Sequence, residues 1–198
     1  MAATIFILIF AFLTGSIPTG YLLVKKNKQI DLRKVGSGNI GSTNVRRAAG
    51  IKLSILTQLL DMLKGLLPVA IVLFSYNFVY FNLEKTILMI ITAFCAILGH
   101  DFTPFLKFKG GKGVNTTLGA FFPILPVPVI LCGLSFKILK IVTPIVSVRS
   151  LAISLLLPIY TWITVGENIL VFATLGASLL IILLHRDNLL RIIQKTEV

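Results

Sequence analysis

Residues 53–76, LSILTQLLDMLKGLLPVAIVLFSY, decide the fold class. The length suits one helix across a hydrocarbon core, which takes about 17–25 residues. Only two charges interrupt the run, Asp61 and Lys64, and their i,i+3 spacing puts them on one helix face. Charges inside a span pair with each other or face a polar interior, so the two form a structural ion pair, wall a binding site, or do both. The rest of the chain has the same character. It has 198 residues, 56% hydrophobic and 13% charged, with mean hydropathy +0.96. A soluble domain carries roughly 45–50% apolar and about 25% charged residues. A soluble fold is excluded; lipid is the outer solvent, and residues 1–198 are expected to form a single transmembrane domain.

Working outward, further apolar runs cover 3–24, 86–99, 151–165 and 169–184. The first has no basic leader and no clear cleavage site, so it reads as a retained span. Residues 114–146 would be about 50 Å long as one helix, too long for one straight crossing, and Pro123, Pro126 and Pro128 interrupt them. Two spans turning near 125–127 are expected there, with Lys137 and Lys140 snorkelling or facing protein. The result is an all-α integral membrane protein, a compact bundle of about seven transmembrane helices. The net charge is +12. In a soluble protein this would suggest nucleic acid. Here the charges cluster between apolar runs, which suits membrane lipids of an anionic leaflet and anionic substrates, with no nucleic acid. Segment 25–52 holds eight Lys/Arg and one acid. It falls on the same side as loop 100–113, the polar stretch 147–150 and the tail 185–198. That bias makes the side cytoplasmic and puts the N-terminus outside. Cys95 and Cys132 lie in apolar runs and read as small core hydrophobes.

Four constellations carry chemistry. Gly36-Ser37-Gly38-Asn39-Ile40-Gly41-Ser42-Thr43-Asn44, followed by Arg46, contains G-x-G-x-x-G, but no strand precedes it as a dinucleotide site requires. Its glycines allow close backbone approach to an anion, and its hydroxyls, amides and arginine supply donors. Lys107 to Thr117, KFKGGKGVNTT, opens a membrane helix. Lys109, Gly110, Gly111, Lys112, Gly113 and Thr116 could hold phosphate through free N–H groups, the helix dipole and charge. A polar connecting loop and a positive-inside loop with turning glycines are the plainer explanations of these two stretches. Asp61 with Lys64 is the third constellation. The fourth is His185, Asn188 and Arg191, which share a helix face where the last span ends; interfacial anchoring is the alternative. Ser147 and Ser150 lie at the same depth.

At these residues the sequence resembles the acyl-phosphate:glycerol-3-phosphate acyltransferases, the PlsY family, over nearly the whole chain. Gly15-Ser16-Ile17-Pro18-Thr19-Gly20-Tyr21 looks like the family's opening. Gly36 to Asn44 with Arg46 is similar to its first motif, and Asp61 to Gly65, as D-x-x-K-G, to its second span. Gly99-His100, Pro104 and Phe108 to Val114 are similar to its second motif. His185, Asn188, Arg191 and Glu197 are similar to its third. Two residues depart from the pattern: Asn115 stands where alanine is more usual, and Lys195 replaces a glycine two residues before Glu197, which puts the role of Glu197 in question.

The resemblance implies transfer of a fatty acyl group from acyl phosphate to the 1-hydroxyl of sn-glycerol 3-phosphate, giving lysophosphatidic acid and phosphate, in a bacterial inner (plasma) membrane. It makes Ser37, Asn39, Thr43, Asn44, Arg46, His185 and Asn188 catalytic candidates. Lys109, Gly110, Gly111, Lys112, Gly113, Thr116, Asp61, Lys64, Ser147, Ser150 and Arg191 become candidates for holding substrate. The proton acceptor is either His185 or the acyl phosphate's own oxygen. The H-x-x-x-x-D pattern of other membrane acyltransferases is absent, since neither His100 nor His185 has an Asp five residues on. No metal-ligand cluster is visible, so neither a metal nor a cofactor is expected, and the chain is expected to act as a monomer. A transporter of a phosphorylated solute is the competing class; it would spread polar groups through the bundle depth and show inverted repeats. A membrane-anchored partner of another enzyme would not need two phosphate-type loops.

Overall fold

The structure, a computed structural model, describes residues 1–197, and among them there are helices and no strands. The chain divides into two compact units, Met1–Ile124 and Leu125–Val198. The first contains α1 (Ala2–Ser16), α2 (Thr19–Lys28), α3 (Ser42–Ala49), α4 (Ile51–Ser75), α5 (Lys85–Asp101) and α6 (Val114–Phe121), with 3₁₀ turns at Leu32–Lys34 and Pro104–Leu106. The second contains α7 (Pro126–Val142), α8 (Val146–Thr164), α9 (Asn168–Leu184) and α10 (Arg186–Ile193).

Four helical segments among the described residues are long and apolar enough to cross a membrane: Ala2–Lys28, Ile51–Ser75, Lys85–Leu106 and Val146–Thr164. Counting α9 with α10, which bend by 59° at their junction, makes five. These are the members of the expected bundle that length and composition alone identify. The break in 114–146 does fall at 122–125, and Pro126 takes the first position of α7, where a missing N–H costs nothing. However, α6 has eight residues, about 12 Å, far less than a hydrocarbon core of about 30 Å. Three local features go beyond the hydropathy pattern. The first span is bent, because Pro18 has no N–H and α1 ends at Ser16. Segment 25–52 includes α3. Residues 147–150 form the first turn of α8, where Ser and Arg fit a helix and Pro144 supplies the preceding break.

Lipid leaves helices little hydrophobic reason to associate, so close backbone packing must hold them. In the first unit glycines supply it reciprocally. A Cβ on Gly15 of α1 would overlap the backbone of Ala96 of α5, and one on Gly99 of α5 the backbone of Phe12 of α1. The α4–α6 crossing has the same arrangement, with Gly65 against Thr116 and Ala120, and Gly119 against Met62. The apolar side chains these helices do not bury point outward, as in Phe6 and Phe74, which suits lipid. In the second unit hydroxyls link the helices: Ser135 Oγ and Tyr160 Oη lie 2.7 Å apart, and Ser178 Oγ donates to the Ser154 carbonyl. Gly99→Val is expected to destabilise the protein by about 1–3 kcal/mol through overpacking, read as a lowered Tm of the detergent-solubilised protein. An unchanged Tm would mean that α1 and α5 do not depend on this contact.

Candidate functional site

Below α1–α2 a small apolar core of Val24, Leu32, Ile40, Val45 and Leu106 anchors both glycine-rich stretches. Leu32 and Ile40 pin the first, and Leu106 leads into the second. Asp31 starts the 3₁₀ turn and takes both Nε (3.0 Å) and Nη2 (2.7 Å) of Arg33. That pair holds its carboxyl down to about 2.

The first stretch is organised by Asn44. Its buried amide donates to the carbonyls of Leu32 (3.2 Å), Val35 (2.9 Å) and Asn39 (2.9 Å), while its Oδ1 accepts from Ser37 N (3.1 Å). Gly36 and Gly38 take positive φ, +58° and +69°, which lets the chain turn around it. Asn44 therefore builds the loop, and its side chain is not placed to touch a ligand. Asn39 Oδ1 similarly accepts from Gly41 N at 2.8 Å. The exposed members are Ser37 and Arg46, with Thr43 half-buried.

The second stretch differs from its reading in one important respect. Gly110 N donates to the Asp101 carbonyl and Gly111 N to the His100 carbonyl, each at 3.1 Å. These two amides are already bonded and are not phosphate donors. Their glycines are steric: a Cβ on Gly110 would strike the His100 carbonyl, and one on Gly111 the His100 ring. The stretch also carries Lys112 and exposed Lys109, and it leads after Gly113 (φ +73°) into the first turn of α6, whose N–H groups a helix leaves without internal acceptors. Thr116 and Thr117 add hydroxyls that are buried and have no hydrogen-bond partner among the described residues. Asn115, at the position that departs from the pattern, reaches from α6 to Ser42 Oγ at 3.4 Å.

Asp61 and Lys64 form a pair at 2.9 Å, 3% and 6% exposed at the side chain. Asp61 Oδ1 also accepts from Thr19 Oγ1 at 2.5 Å, and Lys64 Nζ donates to the Ile17 carbonyl at 3.0 Å. His100 Nδ1 lies 3.7 Å from Asp61 Oδ1, too far for a hydrogen bond. The pair is enclosed by protein, bonded to itself, to Thr19 and to the Ile17 carbonyl. Beside it lies Asp101, which sequence reasoning passed over. Both its carboxylate oxygens are buried against Gly113 without a hydrogen bond among the described residues. An ionisable residue at the end of a span was the available signal.

In the second unit the candidates gather on Glu197. Ser147 Oγ (2.9 Å) and Asn188 Nδ2 (2.5 Å) donate to Oε1, and Arg191 Nε (2.6 Å) to Oε2. Lys195 does not undo this. It sits at φ +56° just past α10, with its own N–H on the Ile192 carbonyl (3.0 Å) and Thr196 N–H on the Arg191 carbonyl (2.8 Å). This is the Schellman closure that favours glycine, and it turns Glu197 back onto the helix. His185 Nδ1 lies 2.8 Å from the Ile181 carbonyl. A carbonyl only accepts, so Nδ1 carries a proton in this contact. Ser150 is buried without joining the Glu197 group. Arg149, also missed, donates to the Pro144 carbonyl (3.2 Å) and lies 4.7 Å over the Phe136 ring.

These features define a multi-pass helical membrane protein with two basic, glycine-rich stretches. The chain belongs to the glycerol-3-phosphate acyltransferase family, whose model matches residues 5–195. A relative of that name from Clostridium acetobutylicum is 44% identical over the full length of both chains. One from Endomicrobium trichonymphae is 37% identical, covering 100% of this chain and 96% of that one. The crystal structure of PlsY, an integral membrane glycerol 3-phosphate acyltransferase, in its glycerol 3-phosphate form gives a TM-score of 0.89 at 35% identity, covering 99% of this chain and 94% of that one. Its lysophosphatidic acid form gives 0.87 at 33%.

Two outcomes are expected at Glu197. Burial alone would raise this carboxyl, but the bonds from Arg191, Asn188 and Ser147 outweigh it and hold the carboxyl below its ordinary value. Its stabilisation is complete above the unfolded-state value and disappears as pH falls through the lowered one. Tm measured from about pH 7 down to about pH 3 should show an acid-side fall that Glu197→Gln reduces; an identical acid limb in the variant would count against the hub. Lys195→Gly should raise stability by up to about 1 kcal/mol by relieving the left-handed conformation, read as a higher Tm; a lower Tm would mean the lysine side chain contributes more than its backbone costs.

Proposed function

We propose that this chain transfers a fatty acyl group from acyl phosphate to the 1-hydroxyl of sn-glycerol 3-phosphate, releasing lysophosphatidic acid and inorganic phosphate. The observation that carries the reading is the adjacency of two basic, glycine-rich stretches under apolar helices: Asn115 reaches Ser42, and Leu106 shares a core with Ile40 and Val45. Both substrates carry phosphate, so two anion-holding stretches suit the reaction better than one. The relatives' names and the two ligand forms of PlsY support it.

In this reading the hydroxyl oxygen attacks the acyl carbonyl carbon, the carbon–oxygen bond to phosphate breaks, and phosphate leaves with the electron pair. Lys112, Lys109, Thr116 and the first turn of α6 hold one phosphate. Ser37, Thr43 and Arg46, on a loop shaped by Asn39 and Asn44, hold the other or polarise the carbonyl. Fixed donors of this kind orient the reactants and stabilise charge developing on the carbonyl oxygen. The hydroxyl proton goes to His185 Nε2 or to the acyl phosphate oxygen. Asn188, Ser147 and Arg191 act through Glu197. The protein acts as a monomer in the bacterial inner membrane; its N-terminus lies outside and its basic segments in the cytoplasm, an orientation that the distribution of Lys and Arg supports.

The test is phosphate release from palmitoyl phosphate by purified protein, with and without glycerol 3-phosphate. Release that requires glycerol 3-phosphate, matched by lysophosphatidic acid and unaffected by a chelator, is the expected result. Arg46→Ala and Ser37→Ala should each lower kcat by on the order of 10²–10³. No turnover by folded protein would favour a transporter, to be tested by flux of phosphorylated solutes into liposomes.

A further inference from the structure

The buried group around Asp61 has its polar atoms turned away from any ligand, yet it lies directly behind the glycine-rich loop. Lys64 Nζ holds Asp61 (2.9 Å) and the Ile17 carbonyl (3.0 Å), and Thr19 caps the same Asp61 oxygen (2.5 Å). His100 faces that carboxylate at 3.7 Å and is 5% exposed. On its other side the imidazole presses on Gly111 so closely that its Nε2 occupies the space a Cβ would need. The His100 and Asp101 carbonyls take the Gly111 and Gly110 amides. One residue thus fixes the loop twice, by main chain and by ring, and the ring lies beside the ion pair, its Nδ1 3.7 Å from Asp61 Oδ1.

We infer that His100, packed beside the Asp61–Lys64 pair, is a positioning residue that sets the backbone path of residues 110–113 and so aims Lys112 and the first turn of α6 at substrate phosphate. The inference rests on the acyltransferase reading. It explains two glycines by the ring they must clear rather than by the amides they could offer. It also gives D-x-x-K, the pair inside the span, a task in the reaction without substrate contact. A buried ion pair can be replaced by apolar residues with little loss of stability, so its role beside the ring is separable from its effect on folding.

The test uses the full-length protein and the phosphate-release assay. Gly111→Ala should lower kcat/KM on the order of 100-fold, the effect of about 1 Å of misplacement. His100→Ala should raise KM for one of the two substrates several-fold with kcat within about threefold. The double variant should recover at least about tenfold over Gly111→Ala, because the ring that the methyl meets is gone. Asp61→Leu with Lys64→Met should raise the same KM as His100→Ala, at a Tm near wild type, and combining the two changes should add little further. If Gly111→Ala does not accumulate as folded protein, recovery of a monodisperse, cooperatively melting double variant replaces the kinetic comparison. Independent effects of Gly111→Ala and His100→Ala, or a loss confined to kcat in His100→Ala, would overturn the inference. A wild-type protein that releases no phosphate would instead overturn the acyltransferase reading beneath it.

Discussion

A carboxylate and an ammonium shut away from water need each other, and around Asp61 and Lys64 this need organises much of the first unit. Neither charge reaches solvent, so each must be matched by charge or by donors and acceptors. Lys64 reaches the Ile17 carbonyl where the first span breaks at Pro18, an oxygen that also accepts from Thr19 N–H at 2.9 Å. Asp61 takes the Thr19 hydroxyl at the start of the next helix. The break in one helix and the charges in another are complementary. With Thr103 donating to the Ser16 carbonyl at 2.6 Å, three segments converge on the same few ångströms of backbone. The glycine contacts of α1 with α5 and α4 with α6 make that convergence sterically possible.

Much of this could be read in the sequence because lipid imposes strong composition rules. Runs near twenty apolar residues and the clustering of Lys and Arg declare spans and connecting segments, and residues 53–76 became α4 almost to the residue. Shorter features were less legible. Periodicity cannot separate a two-turn helix such as α6 from a full crossing when prolines follow directly. Nor does a polar tetrapeptide such as 147–150 announce that it starts a helix rather than connecting two. Those outcomes depend on tertiary packing, which a hydropathy pattern does not encode.

The candidate site was legible in its residue types and less so in their tasks. Glycines near lysines suggest backbone amides aimed at phosphate. At 110 and 111 the amides point to carbonyls, and the missing side chain is what matters. Asn44 likewise reads as a ligand donor, and its amide is engaged by the loop at both ends, while Asn39 gives only its Oδ1 to the loop. Glu197, whose role the neighbouring Lys195 put in question, gathers Ser147, Asn188 and Arg191. The lysine accepts the backbone angle a glycine would have taken. In each case the residue identity is compatible with two tasks, and only the geometry of its partners distinguishes them.

The i,i+3 spacing of Asp61 and Lys64 also bears on how the chain enters the membrane. An isolated Asp or Lys at the centre of a span costs about 2.5–3.5 kcal/mol on insertion. The α4 segment is synthesised before α5, so His100 is not yet available when α4 partitions into lipid. By carrying its counter-ion one turn away on the same helix, the segment enters as a neutral pair. The charges that later lie behind the loop are therefore compatible with the order in which the protein is made.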